Sequence, residues 1–393
     1  MVTRWKVALL GALSCAVLLA ACGGGGGDGA GGAASSPTQT LTSLNDTGVG
    51  ADQCFAAGSN AFVACSSPEA RALSTRQDGQ LGRDAVAATN ASSDGKLGFQ
   101  FSAVPGGCVR DETTGLTWES KTADGGLSDS TRTYTNYGDG RAGDASEFVS
   151  AVNGGAGLCG AADWRLPTYQ ELNSLLDYGA MAAGLAPWID PAWFPNTGAP
   201  QYWASTLISP IFAATSRVHY VQFNPRGFQS QLGDRSERYG VRLVRGGNAL
   251  VPPQSRFTAS ADAQEVTDLQ TGLVWRRCAE GMRFAGGSCT GASTVVKHEQ
   301  ALQLASAQAA AAGVAWRLPN AKELLGLFRS AGVSPALDTV AFPKSAVTGL
   351  WASTPCESGA AAGVNFDSSG SFNSFCSARD VTGSSVQLVR DPS

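Results

Sequence analysis

The sequence predicts an α+β protein made of two tandem domains, each with two helices packed beside a small antiparallel sheet. Three observations predict it. Four phrases occur twice in the same order. Within each copy, strand-period stretches alternate with helix-period stretches. The cysteines beyond the N-terminal region are even in number and fall as neighbours within each part of the chain.

The repeat is the strongest of the three. "DETTGLTWES" at Asp111–Ser120 matches "TDLQTGLVWRR" at Thr267–Arg277, which aligns Trp118 with Trp275. "DWRLPTYQELNSLL" matches "AWRLPNAKELLGLF". "PAWFPNTGAPQYWAST" at 191–206 matches "TVAFPKSAVTGLWAST" at 339–354, and "GVRLVRG" at 240–246 matches "SVQLVRD" at 385–391. One domain is expected over residues 98–246 and a second over 256–390, with the Gly- and Pro-containing linker 247–255 between them.

The shared Trp-Arg-Leu-Pro phrase has a local reading. Pro167 biases Leu166 to extended backbone, and Pro319 does the same for Leu318. Thr168 and Asn320 then have N-cap chemistry, with Glu171 and Glu323 three residues on, so each phrase spells a capping box. Leu172, Leu175 and Leu176, and likewise Leu324, Leu327 and Phe328, form an apolar stripe at helical spacing. Gly179 and Gly332 are the expected helix stops. Glu171 and Glu323 therefore read as capping residues rather than catalytic carboxylates. Arg165 and Arg317 read as partners of an internal acid or carbonyl, with ligand binding as the rival role. Trp164, Trp203, Trp316 and Trp351 read as core aromatics.

The other elements follow in order. "TGLTW" and "TGLVW" are strands. "DASEFVSAVN" is a helix stopped by Gly154-Gly155, and "EQALQLASAQAAAAG" is its longer counterpart, stopped by Gly313. "VHYVQFNPRGFQSQ" is a hairpin turning at Asn224–Gly227, and "GVNFDSSGSFNS" repeats it. "VRLVR" closes the first unit. In the extension 51–97, "QDGQLGRDA" and "GKLGFQFS" read as strand-bearing pieces that pair with the first domain.

The N-terminal region reads as an address. Arg4 and Lys6 precede an apolar run of about fifteen residues, shorter than the roughly 20 a membrane span needs. It ends in Leu19-Ala20-Ala21-Cys22, which resembles a bacterial lipobox. That implies a signal peptide over 1–21, lipidation of Cys22 and, with Gly at 23, outer-membrane sorting; an ordinary secretory signal is the rival. Residues 22–50 are Gly/Ser-rich and expected to form a flexible tether. The chain from Cys22 carries 26 basic and 32 acidic residues, which argues against nucleic acid as a partner.

Ten cysteines, less Cys15 and Cys22, leave eight. Pairing sequence neighbours gives Cys54–Cys65, the small loop of the extension, then Cys108–Cys159, Cys278–Cys289 and Cys356–Cys376, one of 105 connectivities open to eight cysteines. Zinc is the rival reading, but the chain has no CxxC and only His219 and His298, so no metal or other cofactor is expected.

Taken together, "TGL-W", "WRLP-T/N-x-x-EL", "FP", "YW-S-T" and the closing "VR-VR" resemble the Lcl C-terminal domain family, a domain of unknown function. The resemblance covers roughly 285 residues in two copies, with Leu350 for the Tyr and Gln387 for the first Arg in the second copy. "RRCAEGMRFAGGSCTG" around Cys278 and Cys289 fits as well. It implies an exported or lipid-anchored bacterial protein and, through collagen-like surface adhesins, association with sulfated polysaccharide. The chain has no collagen repeat. More distantly the phrases are similar to the formylglycine-generating-enzyme and C-type-lectin-like superfamily, implying a C-type-lectin-like fold. Of that enzyme's reactive cysteine pair only Cys356 and Cys376 are candidates, twenty residues apart, and the calcium-lectin triplets Glu-Pro-Asn and Trp-Asn-Asp are absent.

No nucleophile–base pair or phosphate loop stands out, so no enzyme activity is expected. The leading expectation is a surface-anchored adhesion module in the cell envelope, periplasm- or surface-facing, binding anionic polysaccharide. Its candidate surface is Arg217, His219, Tyr220, Arg226, Phe228, Arg235 and Arg238, where guanidinium forks suit carboxylate or sulfate and aromatics can stack on sugar rings. A solvated sheet face is the plain alternative, with His219 a packing residue rather than a general base. The other readings are an envelope assembly protein docking another exported protein, and a formylglycine-generating-type oxidase.

Overall fold

The capping-box phrase folds the same way twice, and the rest of each repeat is arranged around it. The computed structural model describes residues 44–82, 85, 98–199, 201–207, 217–224, 232–247, 255–328, 337–343, 349–366, 372–381 and 383–392. Cys22, Arg226, Phe228, Gly332 and the turns of both expected hairpins lie outside these residues.

The N-terminal segment holds β1 (Cys54–Phe55), β2 (Phe62–Val63), α1 (Pro68–Leu73) and a 3-10 turn at Asp78–Gln80. The first repeat runs β3 (Phe101–Val104), β4 (Cys108–Asp111), β5 (Leu116–Trp118), α2 (Ala145–Gly154), α3 (Tyr169–Ser174), α4 (Tyr178–Ala182), β6 (Gln201–Leu207), β7 (Arg217–Gln222), β8 (Leu232–Asp234) and β9 (Val244–Gly246). The second runs β10 (Phe257–Ala259), β11 (Glu265–Asp268), β12 (Val274–Arg276), β13 (Met282–Ala285), β14 (Ser288–Gly291), β15 (Val295–Val296), α5 (His298–Ala312), α6 (Ala321–Gly326), β16 (Leu350–Glu357), β17 (Ala360–Phe366), β18 (Phe372–Ala378), β19 (Ser384–Ser385) and β20 (Val389–Arg390). This is an α+β architecture of small, mainly antiparallel sheets. The closing strand of each repeat returns to its opening strands: the sheet orders are β3-β4-β5-β9 and β10-β11-β12-β20. A second sheet in each repeat is ordered β6-β7-β8 and β15-β19-β16-β17-β18.

At the start of α3, the Thr168 hydroxyl accepts the Glu171 N–H at 3.2 Å and Glu171 Oε2 accepts the Thr168 N–H at 2.8 Å. Asn320 and Glu323 do the same for α6, at 2.8 and 2.7 Å. Each glutamate also takes a two-pronged bond from the preceding arginine: Arg165 to Glu171 at 2.7 and 2.6 Å, Arg317 to Glu323 at 2.7 and 2.8 Å. The "WAST" phrase grips the same helix start. The Ser205 N–H donates to Pro167 O and the Thr206 hydroxyl accepts the Tyr169 N–H; Ser353 and Thr354 repeat both bonds with Pro319 and Ala321. Arg165 and Val244, and Arg317 and Val389, exchange backbone bonds with the closing strand. Three of the four repeated phrases therefore meet in space.

Trp164, Trp203, Trp316 and Trp351 are all buried. Three of their indole N–H groups have backbone partners: Trp164 donates to Ala161 O, Trp203 to Tyr134 O and Trp351 to Val296 O. The four sequence-neighbour disulfides form, Cys54–Cys65, Cys108–Cys159, Cys278–Cys289 and Cys356–Cys376.

Some expectations change. The first repeat has three helices, because α3 ends after six residues at Leu175 and α4 starts anew. Gly179 is not a stop: it sits within α4, where a Cβ would fall 1.8 Å from Gly48 O. "QDGQLGRDA" holds a 3-10 turn instead of a strand, since Gln77 and Gln80 cap one another across it. "GKLGFQFS" does lead into β3.

The two repeats share one core, with Trp118, Leu172 and Leu176 in the same cluster as Trp275, Leu324 and Phe328. At the seam the Tyr169 and Ser374 hydroxyls bond at 2.9 Å, and Phe372 packs against Tyr169 and Phe328 at 4.9 and 4.1 Å. Residues 45–50, which composition groups with the tether, are packed here: Asn45, Thr47 and Val49 are buried. The segment continues onto both repeats. The Tyr178 N–H donates to Thr47 O, Gln53 to Gly179 O, and Arg379 to Ser59 O and Asn60 Oδ1. Arg379 also covers the Phe55 ring at 3.7 Å.

Candidate ligand-binding cleft of the first repeat

The residues the two copies share cap or pack the scaffold, and the candidate surface lies in a stretch where they differ. Between β5 and α2 the first repeat carries a loop, 119–144, held by its own side chains. Asp144 caps α2 through the Ser146 N–H and also accepts the Tyr137 N–H and the Thr135 hydroxyl. Burial works against this carboxylate, but those bonds outweigh it and hold it down at about 2. Asp129, bonded by Thr131 and the Gly125 N–H, is likewise held at about 2. On the outside Arg141 stacks 3.7 Å over the Tyr137 ring.

This loop, the run into β6 and the run into β9 enclose a cleft of about 360 Å³. Thr131 and Thr133 line one part, Gly198 and Gln201 another, and Arg238 and Tyr239 a third. Tyr239 is fixed by its neighbours: it packs on Trp203 at 4.3 Å and meets Tyr220 at 5.0 Å. Its hydroxyl donates to Glu237 at 2.6 Å, and burial with that carboxylate pushes its pKa up. Its backbone exchanges two bonds with Tyr134, which stacks on Phe148 at 4.9 Å.

Two arginines of the candidate surface are held by carbonyls. Arg238 donates to Thr133 O and, at 3.5 Å, to Gly143 O; Arg235 Nε donates to Asn136 O at 2.8 Å. Among the described residues neither makes an ion pair. A carbonyl orients a guanidinium without neutralising it, so two cations and several donors stay on this face. Arg217 is exposed at the start of β7, opposite Asp234 on β8.

The remaining candidates point inward. His219 is 1% exposed, stacked on Phe372 of the second repeat at 4.5 Å, and burial pushes its pKa down to about 3. Tyr220, on the other face of β7, wedges against Trp203 and Tyr239. Strand alternation puts His219 and Tyr220 on opposite faces of β7, so at most one of them could join the arginines, and packing against Phe372 takes His219 inward. Arg217, Arg235 and Arg238 therefore stand without His219 and Tyr220, and Arg238 is joined by Tyr239, Thr131 and Thr133, which no sequence motif singles out. The signal that finds them is the difference between copies. Arg238, Tyr239 and Tyr134 align with Gly383, Ser384 and Val296, and where the first repeat has its loop the second has the β13–β14 hairpin, braced by Cys278–Cys289. The fold motifs do not contribute: Glu171 and Glu323 are fully engaged as caps and ion-pair partners.

Among the described residues no group of three or more His, Cys, Asp or Glu is placed to hold a metal ion, and no helix is long and apolar enough to cross a membrane. Cys356 and Cys376 are joined to each other.

A family model described as the Lcl C-terminal domain matches residues 107–245 and again 264–390, about two thirds of the chain. No curated protein and no solved structure matches it.

Proposed function

Since the chain belongs to the Lcl C-terminal domain family and carries that domain twice, we propose that it is a non-catalytic adhesion module of the bacterial cell envelope, lipid-anchored through Cys22, whose first repeat binds anionic polysaccharide. The observation that carries this reading is Arg238. It lines the cleft beside Tyr239, it has no counter-ion among the described residues, and the second copy has Gly383 in its place. A guanidinium fork suits sulfate or carboxylate, and the threonine hydroxyls and Gln201 supply neutral partners for sugar hydroxyls. Each repeat is read as C-type-lectin-like; the support is that β9 and β20 each return to pair with their own repeat's opening strands, leaving the loops between as the variable surface.

The test is retention of the full chain on immobilised heparin across a salt series. Binding at low salt that weakens as salt rises supports the reading, because exposed charges are screened within about 10 Å at 0.1 M. No retention at low salt ends it. A single stoichiometric exported partner in its place would support an assembly role.

A further inference from the structure

We propose that residues 44–82 act as a proton-linked clasp, holding the two repeats together most tightly when the carboxylates at their seam share a proton and loosening as the last of them ionises. The seam is built around one ammonium. Lys322 of α6 is 4% exposed and donates to Asp46 O of the clasp at 2.6 Å and to Ser174 O of the first repeat at 2.8 Å. One side chain thus joins all three parts. The first copy has Gln170 at this position, so the arrangement is not a by-product of the repeat.

Four carboxylates act on it, Asp46 and Asp78 from the clasp, Asp111 at the end of β4 and Asp177 before α4, and a fifth, Glu323 on α6, acts on Asp78. Four are already partnered, Asp46 among them by the Thr47 N–H at 2.9 Å. Glu323 is gripped by Arg317, Asp111 by Asn45 and the Thr113 and Thr114 amides, and Asp177 caps α4 through the Ala180 N–H. Asp78 is 3% exposed and, among the described residues, its carboxylate receives hydroxyls alone, that of Thr47 at 3.0 Å and that of Thr354. Thr354 is the residue that grips the start of α6, so Asp78 reaches the repeated motif itself. Burial first, and then Asp46, push Asp78 up to about 7. The Tyr178 phenol also faces it from α4 and is pushed up, chiefly by burial and then by Asp78.

The sign follows. A carboxyl whose docked pKa is raised stabilises docking fully below its free pKa of 3.8, and that contribution is lost as pH rises through about 7. Lys322, pushed down by burial to about 8, acts in the opposite sense at higher pH and offsets part of the loss. Between pH 6 and pH 8 the clasp should loosen roughly five- to tenfold.

Hydrogen exchange on the full chain tests this. The Tyr178 amide bonds to Thr47 O at 2.8 Å and the Gly359 amide to Asn60 O at 3.1 Å, so both report docking; the Tyr134 amide, bonded to Tyr239 O, is the control. After correction for intrinsic rates, Tyr178 and Gly359 protection should fall roughly five- to tenfold from pH 6 to pH 8 with Tyr134 unchanged. Asp78→Asn should abolish the fall. Asp46→Asn should shrink it, by moving the Asp78 transition to lower pH. Wild-type protection that is flat over this range, or a fall that persists in Asp78→Asn, overturns the proposal.

Discussion

Removing the charge of the capping glutamate should have very different costs in the two repeats, although the phrase around it is the same. In Glu171→Gln and Glu323→Gln the amide can still close the capping box, so the lost ion pair is what differs. In the first repeat the Arg165 and Glu171 side chains are 44% and 22% exposed, and solvent screens the pair. Its loss should cost about 0.2–1 kcal/mol. In the second, Arg317 and Glu323 are 6% and 9% exposed, and the other partner of Arg317, Asp391, is 60% exposed. Burial opposes the Arg317 charge, and Glu323, then Asp391, outweigh it. Glu323→Gln strands most of a buried cation and should cost about 3–5 kcal/mol. Urea unfolding at neutral pH, followed by tryptophan fluorescence, measures both. Equal losses, or a larger loss for Glu171→Gln, would refute the reasoning that burial rather than motif identity sets the energy.

Other outcomes follow from the same packing. His219 and His298 are both held neutral, with pKa about 3; His298 donates from Nε2 to Ala352 O and accepts Arg379 Nε at Nδ1. Their contribution is complete above the free pKa of 6.5 and falls as pH drops towards 3, by about 2 kcal/mol for each histidine at pH 5. Asp78 changes in the opposite sense over that range, so the clean readout is a variant: His219→Phe should flatten the acid limb by about that amount in urea titrations at pH 7.5 and 5. Gly179→Ala drives a Cβ against Gly48 O and should cost about 1–3 kcal/mol, with the loss of Tyr178 amide protection localising the damage to the clasp.

The scaffold was legible because its causes are local. Thr168-x-x-Glu171 and Asn320-x-x-Glu323 are complete capping boxes within four residues, and Asp144 and Gly313 end-mark their helices without help from distant chain. The disulfides follow chain order because each closes a loop within the segment or repeat that carries it. What was not legible depends on partners far away in sequence. Gly179 resembles a helix stop until Gly48 is laid against it. Asp46 and Thr47 resemble tether until Lys322 and Tyr178 bond to them. The cleft was half visible: Arg235 and Arg238 stand out as cations, but Tyr239, Thr131 and Thr133 gain meaning only once the 119–144 loop folds over them.

The central claim is that the repeated phrases build the scaffold and that binding belongs to what only the first copy has. Heparin affinity of Arg238→Gly, which installs the residue found at Gly383, tests it most directly, with exposed Arg283→Gly of the second repeat as the matched loss of charge. A lost charged hydrogen-bond donor of roughly 1.5–3 kcal/mol corresponds to tenfold weaker binding or more for Arg238→Gly, with Arg283→Gly close to wild type and both folded by circular dichroism. Equal losses in the two variants, or undiminished binding by Arg238→Gly, would contradict it.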